Sequence, residues 1–348
     1  MARIDFYKLD KQEKSAIFNA IAAEKGMTPF AVEKDWWVCC TLHVIFQLDI
    51  SKHLVFKGGT SLSKAWKLIH RFSEDIDLAI DQAFFDGYTS NLSRTQINQL
   101  RKEAGEYTTG VLFFDLQEAF RRAGYHDLNY RVIASSESDR DPRIIEVYYP
   151  NIISPPSTYV LPKVQIEIGC RSLKEPFTFR PLSSLVDEQY PDQYFADNPF
   201  DVPTVNPERT LLEKLFLLHE EVQRPIEKMR VNRLSRHLYD IYHLHQAGVL
   251  EAAINNKQLY QTVVAHRYKF SRVGGVDYNT HHPHRLNPIP ISDRIADWRA
   301  DYQRMLEEMI YDDNKPSFEQ LIENLQHLIG LLQRVAWDFD LVFPTRNK

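Results

Sequence analysis

Asp75 and Asp77 stand one residue apart in "DIDLAI", and Gly58 and Gly59 stand shortly upstream at the end of "HLVFKGG". Carboxylates this close repel one another unless a cation neutralises them. Their oxygens suit a hard divalent ion, Mg2+ or Mn2+, held jointly with substrate phosphates. A glycine turn lets backbone N–H groups approach a phosphate, and a helix that follows adds the partial positive charge of its N-terminus. The two features together suggest a nucleotide site, with the turn for the phosphates and the aspartates for metal. Taken singly, each has a plainer reading: D-x-D is common at solvated strand ends, and Gly-Gly begins many helices.

The aspartates need a strand to aim them. "DIDLAI" alternates with period two, so Ile76, Leu78 and Ile80 face one way while Asp75 and Asp77 face the other. "KVQIEIG" repeats the pattern, with Val164, Ile166 and Ile168 opposed to Gln165 and Glu167. If this strand lies beside the first, Glu167 becomes a third carboxylate, as a two-metal centre requires. Glu146 in "RIIEVYY" alternates similarly and competes for that place. "HLVFKGG" reads as a strand and turn, and "SLSKAWKLIH" as a helix packed through Leu62, Ala65, Trp66 and Ile69. Two helices are expected before it, over residues 8–25 with Gly26 as the stop, and from Pro29 through "PFAVEKDWWVCCTLHVIFQL". Residues 84–122 read as helical, and "NYRVIASSE" as a further strand. Residues 188–208 are rich in proline and acid, which marks a junction near residue 200, and the remainder reads as mostly helical. The expected domains are therefore residues 1–200, the core with its N-terminal helices, and residues 201–348.

The 348 residues carry 42 Lys+Arg against 47 Asp+Glu, a net charge of −5, which argues against a wholesale nucleic-acid coat. A local basic patch does exist: Arg224, Lys228, Arg230, Arg233 and Arg236, beside His237. Such a run is either a solvated helix face or a track for a phosphate backbone. Cys39, Cys40 and Cys170 have neither disulfide-framework nor zinc spacing, so free thiols in a reducing compartment are expected. The N-terminal stretch lacks an apolar signal core, and "WWVCCTLHVIF" falls short of the roughly 20 residues a bilayer needs, so the expected location is cytoplasmic, with no membrane partner. "HHPH", His281–His284, lacks the i, i+4 spacing of a helical metal pair and reads as a surface or substrate loop.

The stretch "GGTSLSKAW…RFSEDIDL" resembles the nucleotidyltransferase signature of the DNA polymerase β-like superfamily, and more closely that of the AbiEii/AbiGii toxin family, which includes the MenT toxins. The S-x-D-x-D form with Ser73 is similar to the AbiEii type, although the gap from Thr60 to Asp75 is longer than the usual superfamily pattern. Downstream, "ERTLLEKLFLLHE" supplies a matching Lys214, and "RHLYDIYHL" supplies Arg236 and Asp240, so the resemblance spans about residues 30–245. It implies an α+β fold, a small mixed β-sheet core flanked by helices and followed by a mostly helical C-terminal domain. It implies transfer of a nucleoside monophosphate from an NTP with Mg2+. The toxin role, in a type IV toxin–antitoxin or phage-defence system, the RNA acceptor such as tRNA and the cognate antitoxin are likewise implied by the resemblance alone. On this reading Asp75, Asp77 and Glu167 hold metal, and Gly58, Gly59, Thr60, Ser61 and Ser73 hold the triphosphate. Lys214 and Arg236 neutralise its charge, and Asp240 orients Lys214 or Arg236 or bonds the nucleotide. Thr60 or Ser61 as a helix cap, Lys214 as a solvated lysine and Asp240 as a structural ion pair are the competing roles. The competing functions are a non-catalytic nucleotide-binding module and transfer to a protein or small-molecule hydroxyl.

Overall fold

The computed structural model describes residues 4–73, 75–88, 92–154, 161–171, 176–310 and 315–344. The chain divides into two compact units: Met1–Lys67 with Phe72–Val205, and Leu68–Arg71 with Asn206–Lys348.

The first unit is α+β. Its strands are β1 (Leu54–Lys57), β2 (Asp75–Ile80), β3 (Asn129–Val132), β4 (Arg143–Tyr148), β5 (Lys163–Gly169), β6 (Phe177–Leu182) and β7 (Phe200–Val205). They form one mixed sheet in the order β3-β4-β5-β2-β1-β7-β6. The β2–β5 and β1–β7 pairs are parallel, and the others are antiparallel. Its helices are α1 (Asp5–Lys8), α2 (Lys11–Lys25), α3 (Pro29–Ile45), α4 (Gly58–Lys64), α5 (Arg94–Tyr107), α6 (Phe113–Arg122) and α7 (Leu185–Gln189).

Period-two alternation decides which face of the sheet is dry. Ile76, Leu78, Ile80, Ile145, Val147, Val164, Ile166 and Ile168 are buried against Val32, Trp36, Trp37 and Leu42 of α3 and Leu116 and Phe120 of α6. Each such side chain contributes about 1.5–3 kcal/mol by leaving water. The start of α3 is fixed by Thr28, whose side chain accepts from the Ala31 N–H, with Pro29 in the first turn. The helix is apolar nearly all round and accordingly buried. Its three charges, Glu33, Lys34 and Asp35, are buried too. Cys39, Cys40 and Cys170 are buried free thiols, and burial pushes the Cys40 thiol up to about 12.

Two local expectations are corrected. The stretch read as a loop-rich junction contains β7, and "FTFRPL" just before it forms β6. The helix expected through His70 stops at Lys64, and Lys67 takes a left-handed φ of 54°, a conformation no α-helix continues through.

The second unit is helical: α8 (Pro207–Val222), α9 (Ser235–Gln246), α10 (Val249–Asn255), α11 (Lys257–Phe270), α12 (Ile295–Glu308) and α13 (Phe318–Leu332). Leu211, Leu212, Leu215 and Leu218 of α8 are buried, as are Leu238, Ile241 and Leu244 of α9 and Trp298 and Tyr302 of α12. Asp301 of α12 receives the Arg233 and Ser235 N–H groups at 2.7 and 3.0 Å, anchoring the start of α9. No helix among the described residues is long and apolar enough to cross a membrane.

Candidate active site

β5 lies directly beside β2, parallel to it, with Asp75 paired to Gln165 and Asp77 to Glu167. Paired residues project from the same face of a sheet. Asp75, Asp77, Gln165 and Glu167 therefore share one face, all half-buried, opposite the dry core. Gln165 donates an Nε2–H to Glu167 Oε1 at 3.0 Å. On the other side of β2, Lys57 of β1 pairs with Asp77. A row Glu167–Asp77–Lys57 thus crosses three strands in steps of about 5 Å, acid beside acid beside base.

Sequence reasoning passed over Lys57. The signal for it was present, because alternation in "HLVFKGG" puts Val55 and Lys57 on one face. Glu146, the competitor to Glu167, sits one strand further out, opposite Gln165. It is buried and takes the Lys163 ammonium and the Tyr148 hydroxyl, the latter at 2.7 Å. Burial alone would raise its carboxyl pKa, but these two donors hold it below the ordinary glutamate range. Glu146 is therefore committed inside the fold, and Glu167 is the carboxylate adjacent to Asp77.

Gly58 starts α4 with a left-handed φ of 78°. A Cβ built there would stand 2.0 Å from Asp77 Oδ2, so the space a side chain would need is already filled by the aspartate. Only glycine meets both conditions. Thr60 is fully buried, and its hydroxyl donates to the Asp75 carbonyl at 2.5 Å while lying 2.9 Å from the Ser73 hydroxyl. Ser61, equally buried, donates to the Gly58 carbonyl at 2.9 Å. These hydroxyls tie the turn, α4 and the start of β2 to one another. The groups a helix start characteristically offers a phosphate are its backbone N–H groups.

Among the described residues no three His, Cys, Asp or Glu side chains are gathered closely enough to enclose a metal ion. The donor chemistry of Asp75, Asp77 and Glu167 nevertheless fits Mg2+: hard carboxylate oxygens on neighbouring strands, with Gly58 giving Asp77 Oδ2 the room it occupies.

In the second unit Asp240 is fully buried. Arg71 donates to both of its oxygens, Nε at 2.7 Å and a terminal nitrogen at 2.8 Å, and Lys214 Nζ lies 2.9 Å from Oδ2. Burial opposes the Asp240 charge, yet Arg71 and Lys214 override it and hold the carboxyl far below the usual aspartate range. Lys214 is only 8% exposed, and burial lowers its pKa. The Asp240 charge partly restores it, while Arg71 and Arg236 add like-charge repulsion. His237, 3.4 Å from Lys214 Nζ through Nδ1, is driven well below its ordinary value by burial and by the same lysine, so it is neutral. Two buried cations thus share one carboxylate.

The basic run is partly neutralised from within. Glu221, buried on α8, receives Arg230 through its backbone N–H, Nε and a terminal nitrogen, and receives Arg224 as well. Lys228 is exposed, and the Arg230 side chain is 61% exposed even while paired. The histidine loop departs from expectation: His281 is completely buried, stacked on Tyr278 at 4.7 Å with Nε2 3.3 Å from Glu220. Its neighbour His284 is exposed.

The model of the family described as nucleotidyl transferase AbiEii toxin, type IV toxin–antitoxin system, matches residues 43–324. This chain belongs to the AbiEii family. It is a nucleotidyltransferase toxin of a type IV toxin–antitoxin system, and family membership brings an NTP substrate and a cognate antitoxin with it. Among solved structures the chain is similar to MenT4, a nucleotidyltransferase toxin from Mycobacterium tuberculosis H37Rv, at 16% identity and a TM-score of 0.42, covering 93% of this chain and 99% of that one. It is also similar to JHP933 from Helicobacter pylori, at 13% identity and a TM-score of 0.40, covering 85% of this chain and 90% of that one. No curated protein matches the chain.

Proposed function

We propose that this AbiEii enzyme moves a nucleoside monophosphate from an NTP to the 3′-hydroxyl of an RNA, tRNA being the class its family resemblance suggests. The reading rests on the face shared by Asp75, Asp77 and Glu167 beside the Gly58 turn. The acceptor hydroxyl attacks the α-phosphorus, the new O–P bond forms as the bond to the β-phosphate oxygen breaks, the hydroxyl proton passes to solvent and pyrophosphate leaves. Asp75, Asp77 and Glu167 would hold Mg2+, which when bound supplies positive charge against the phosphate oxygens. The backbone at the Gly58–Gly59 turn receives phosphate oxygens, and Lys57 adds a positive charge beside Asp77. Ser73 acts here through Thr60, as a support for the start of β2. As a separate element of the proposal, Lys214 and Arg236 bind phosphate charge, with Asp240 fixing Lys214. The exposed Lys228 and Arg230 favour RNA among the acceptors.

The test is to incubate the protein with Mg2+, each labelled NTP in turn, and total cellular RNA and protein, with Asp77→Asn as control. Label on RNA that disappears in the variant is the expected outcome. Label on protein or on a small molecule would replace the acceptor class, and undiminished labelling by Asp77→Asn would refute the site.

A further inference from the structure

We propose that Asp35 and Lys64 are positioning residues for nucleotidyl transfer, their buried ion pair setting where α4 stands against Asp77. The proposal rests on the reading that the Asp75–Asp77–Glu167 face carries the reaction. Lys64 is the last residue of α4 and Gly58 the first, about 9 Å apart along the helix. Lys64 Nζ lies 2.6 Å from Asp35 Oδ1, with the two side chains 12% and 8% exposed. The other Asp35 oxygen accepts the Leu185 N–H at 2.8 Å. Burial opposes the lysine charge, but Asp35 outweighs it and raises the ammonium pKa, so Lys64 stays charged at any working pH.

The neighbouring charges on α3 are spent in the same way. Glu33 accepts the Ile152 and Ile153 N–H groups at 2.7 and 3.0 Å, and Lys34 donates to the Leu161 carbonyl at 3.0 Å. Those contacts pin the β4–β5 connection a few residues after β4 and again two residues before β5, and β5 carries Glu167. Burying ions in succession costs several kcal/mol apiece, which apolar residues of similar size would not. Stability alone gives no reason to spend it here. Position does, because α4 has no slack at its other end: Gly58 abuts Asp77, and Thr60 holds the Asp75 carbonyl. Beyond the helix, the Trp66 indole donates to the Val205 carbonyl at 2.9 Å, and Arg180 donates to the Ala65 carbonyl at 3.2 Å. These bonds fix the residues that follow α4, whereas Asp35 grips the last residue of the helix itself.

Two variants separate positioning from mere stability. The double variant Asp35→Asn/Lys64→Met removes both charges and so leaves no unpaired buried ion. Asp35→Glu keeps the pair and moves its contact point by one methylene. In each, kcat per folded molecule is expected to fall on the order of tenfold to a hundredfold, with KM for the NTP changed far less. Melting temperatures should stay close to that of the parent enzyme. Parental kcat in either folded variant overturns the proposal, and failure of both to fold assigns the pair to stability and overturns it as well. Asp77→Asn, run alongside, keeps the two ideas apart. If Asp77→Asn is inactive while these variants are fully active, only the positioning role falls. If Asp77→Asn is fully active, the site itself falls.

Discussion

Gly58→Ala is the sharpest probe of the site, because two separable penalties meet at one residue. The first is conformational: an L-residue held at φ 78° costs about 1–2 kcal/mol of stability. The second is steric. The new methyl would stand 2.0 Å from Asp77 Oδ2, 2.7 Å from its Cγ and 2.9 Å from its Cβ, where ordinary contact begins at 3.4 Å. The aspartate or the turn must therefore yield by about 1.4 Å at Oδ2. A displacement near 1 Å at a reacting centre costs on the order of a hundredfold in rate, or about 2.7 kcal/mol of transition-state stabilisation. Gly248→Ala supplies the control. Gly248 is also left-handed, with φ 74°, but no atom lies within 4 Å of its added Cβ. It should lose a similar conformational energy and keep full activity. The assay is kcat for nucleotidyl transfer at saturating NTP, with thermal unfolding of both variants measured in parallel. Gly58→Ala should show both penalties and Gly248→Ala only the first. Parental kcat in Gly58→Ala, or an equal fall in both variants, would show that the close approach to Asp77 has no part in catalysis.

Glu167→Gln should reduce transfer at least as severely as Gly58→Ala, because it removes one carboxylate from the face shared with Asp77; parental kcat in the folded variant would refute this. Asp240→Asn should destabilise the fold by about 3–5 kcal/mol, because Arg71 and Lys214 would stay buried without their carboxylate; denaturant unfolding reads this directly. Lys214→Met leaves Asp240 paired with Arg71, so it should lower transfer with a smaller loss of stability than Asp240→Asn. Glu220 is held at about 2 although burial opposes its charge, because Arg267 and His281 outweigh that cost. The folded pKa lies below the unfolded one, so this carboxylate contributes about 3 kcal/mol above pH 4.5 and loses it as pH falls from there toward 2. Glu220→Gln should flatten that part of the acid-unfolding profile, and an unchanged slope would show that the Glu220 carboxylate does not contribute this stability.

Period-two alternation made β2 and β5 legible, because one face of each had to be apolar and the other was free to hold Asp75, Asp77 and Glu167. Their parallel adjacency, which puts Asp77 opposite Glu167, was only a condition in the sequence reading, since alternation carries no information about which strands meet. β6 and β7 were hidden by Pro181 and Pro203, residues that mark loops locally. In the sheet Pro181 lies opposite Asp201 and Pro203 opposite Phe179, on β6, which is the sheet edge, and on its neighbour β7. α4 stops early through Lys67 and the Trp66 indole, which bonds a carbonyl 139 residues away. The same cause explains the charged residues whose places were not foreseen. Glu221 absorbs Arg224 and Arg230, Glu220 takes His281 inward, and Glu33, Lys34 and Asp35 enter the core of the first unit. In the last two cases the partners lie dozens of residues or more away in the chain. Apolar burial leaves a period in the sequence because it depends only on which way a residue points. Polar burial leaves none, because it depends on one particular distant donor or acceptor, and the parts of this site that a mutation would disturb most are held by contacts of that second kind.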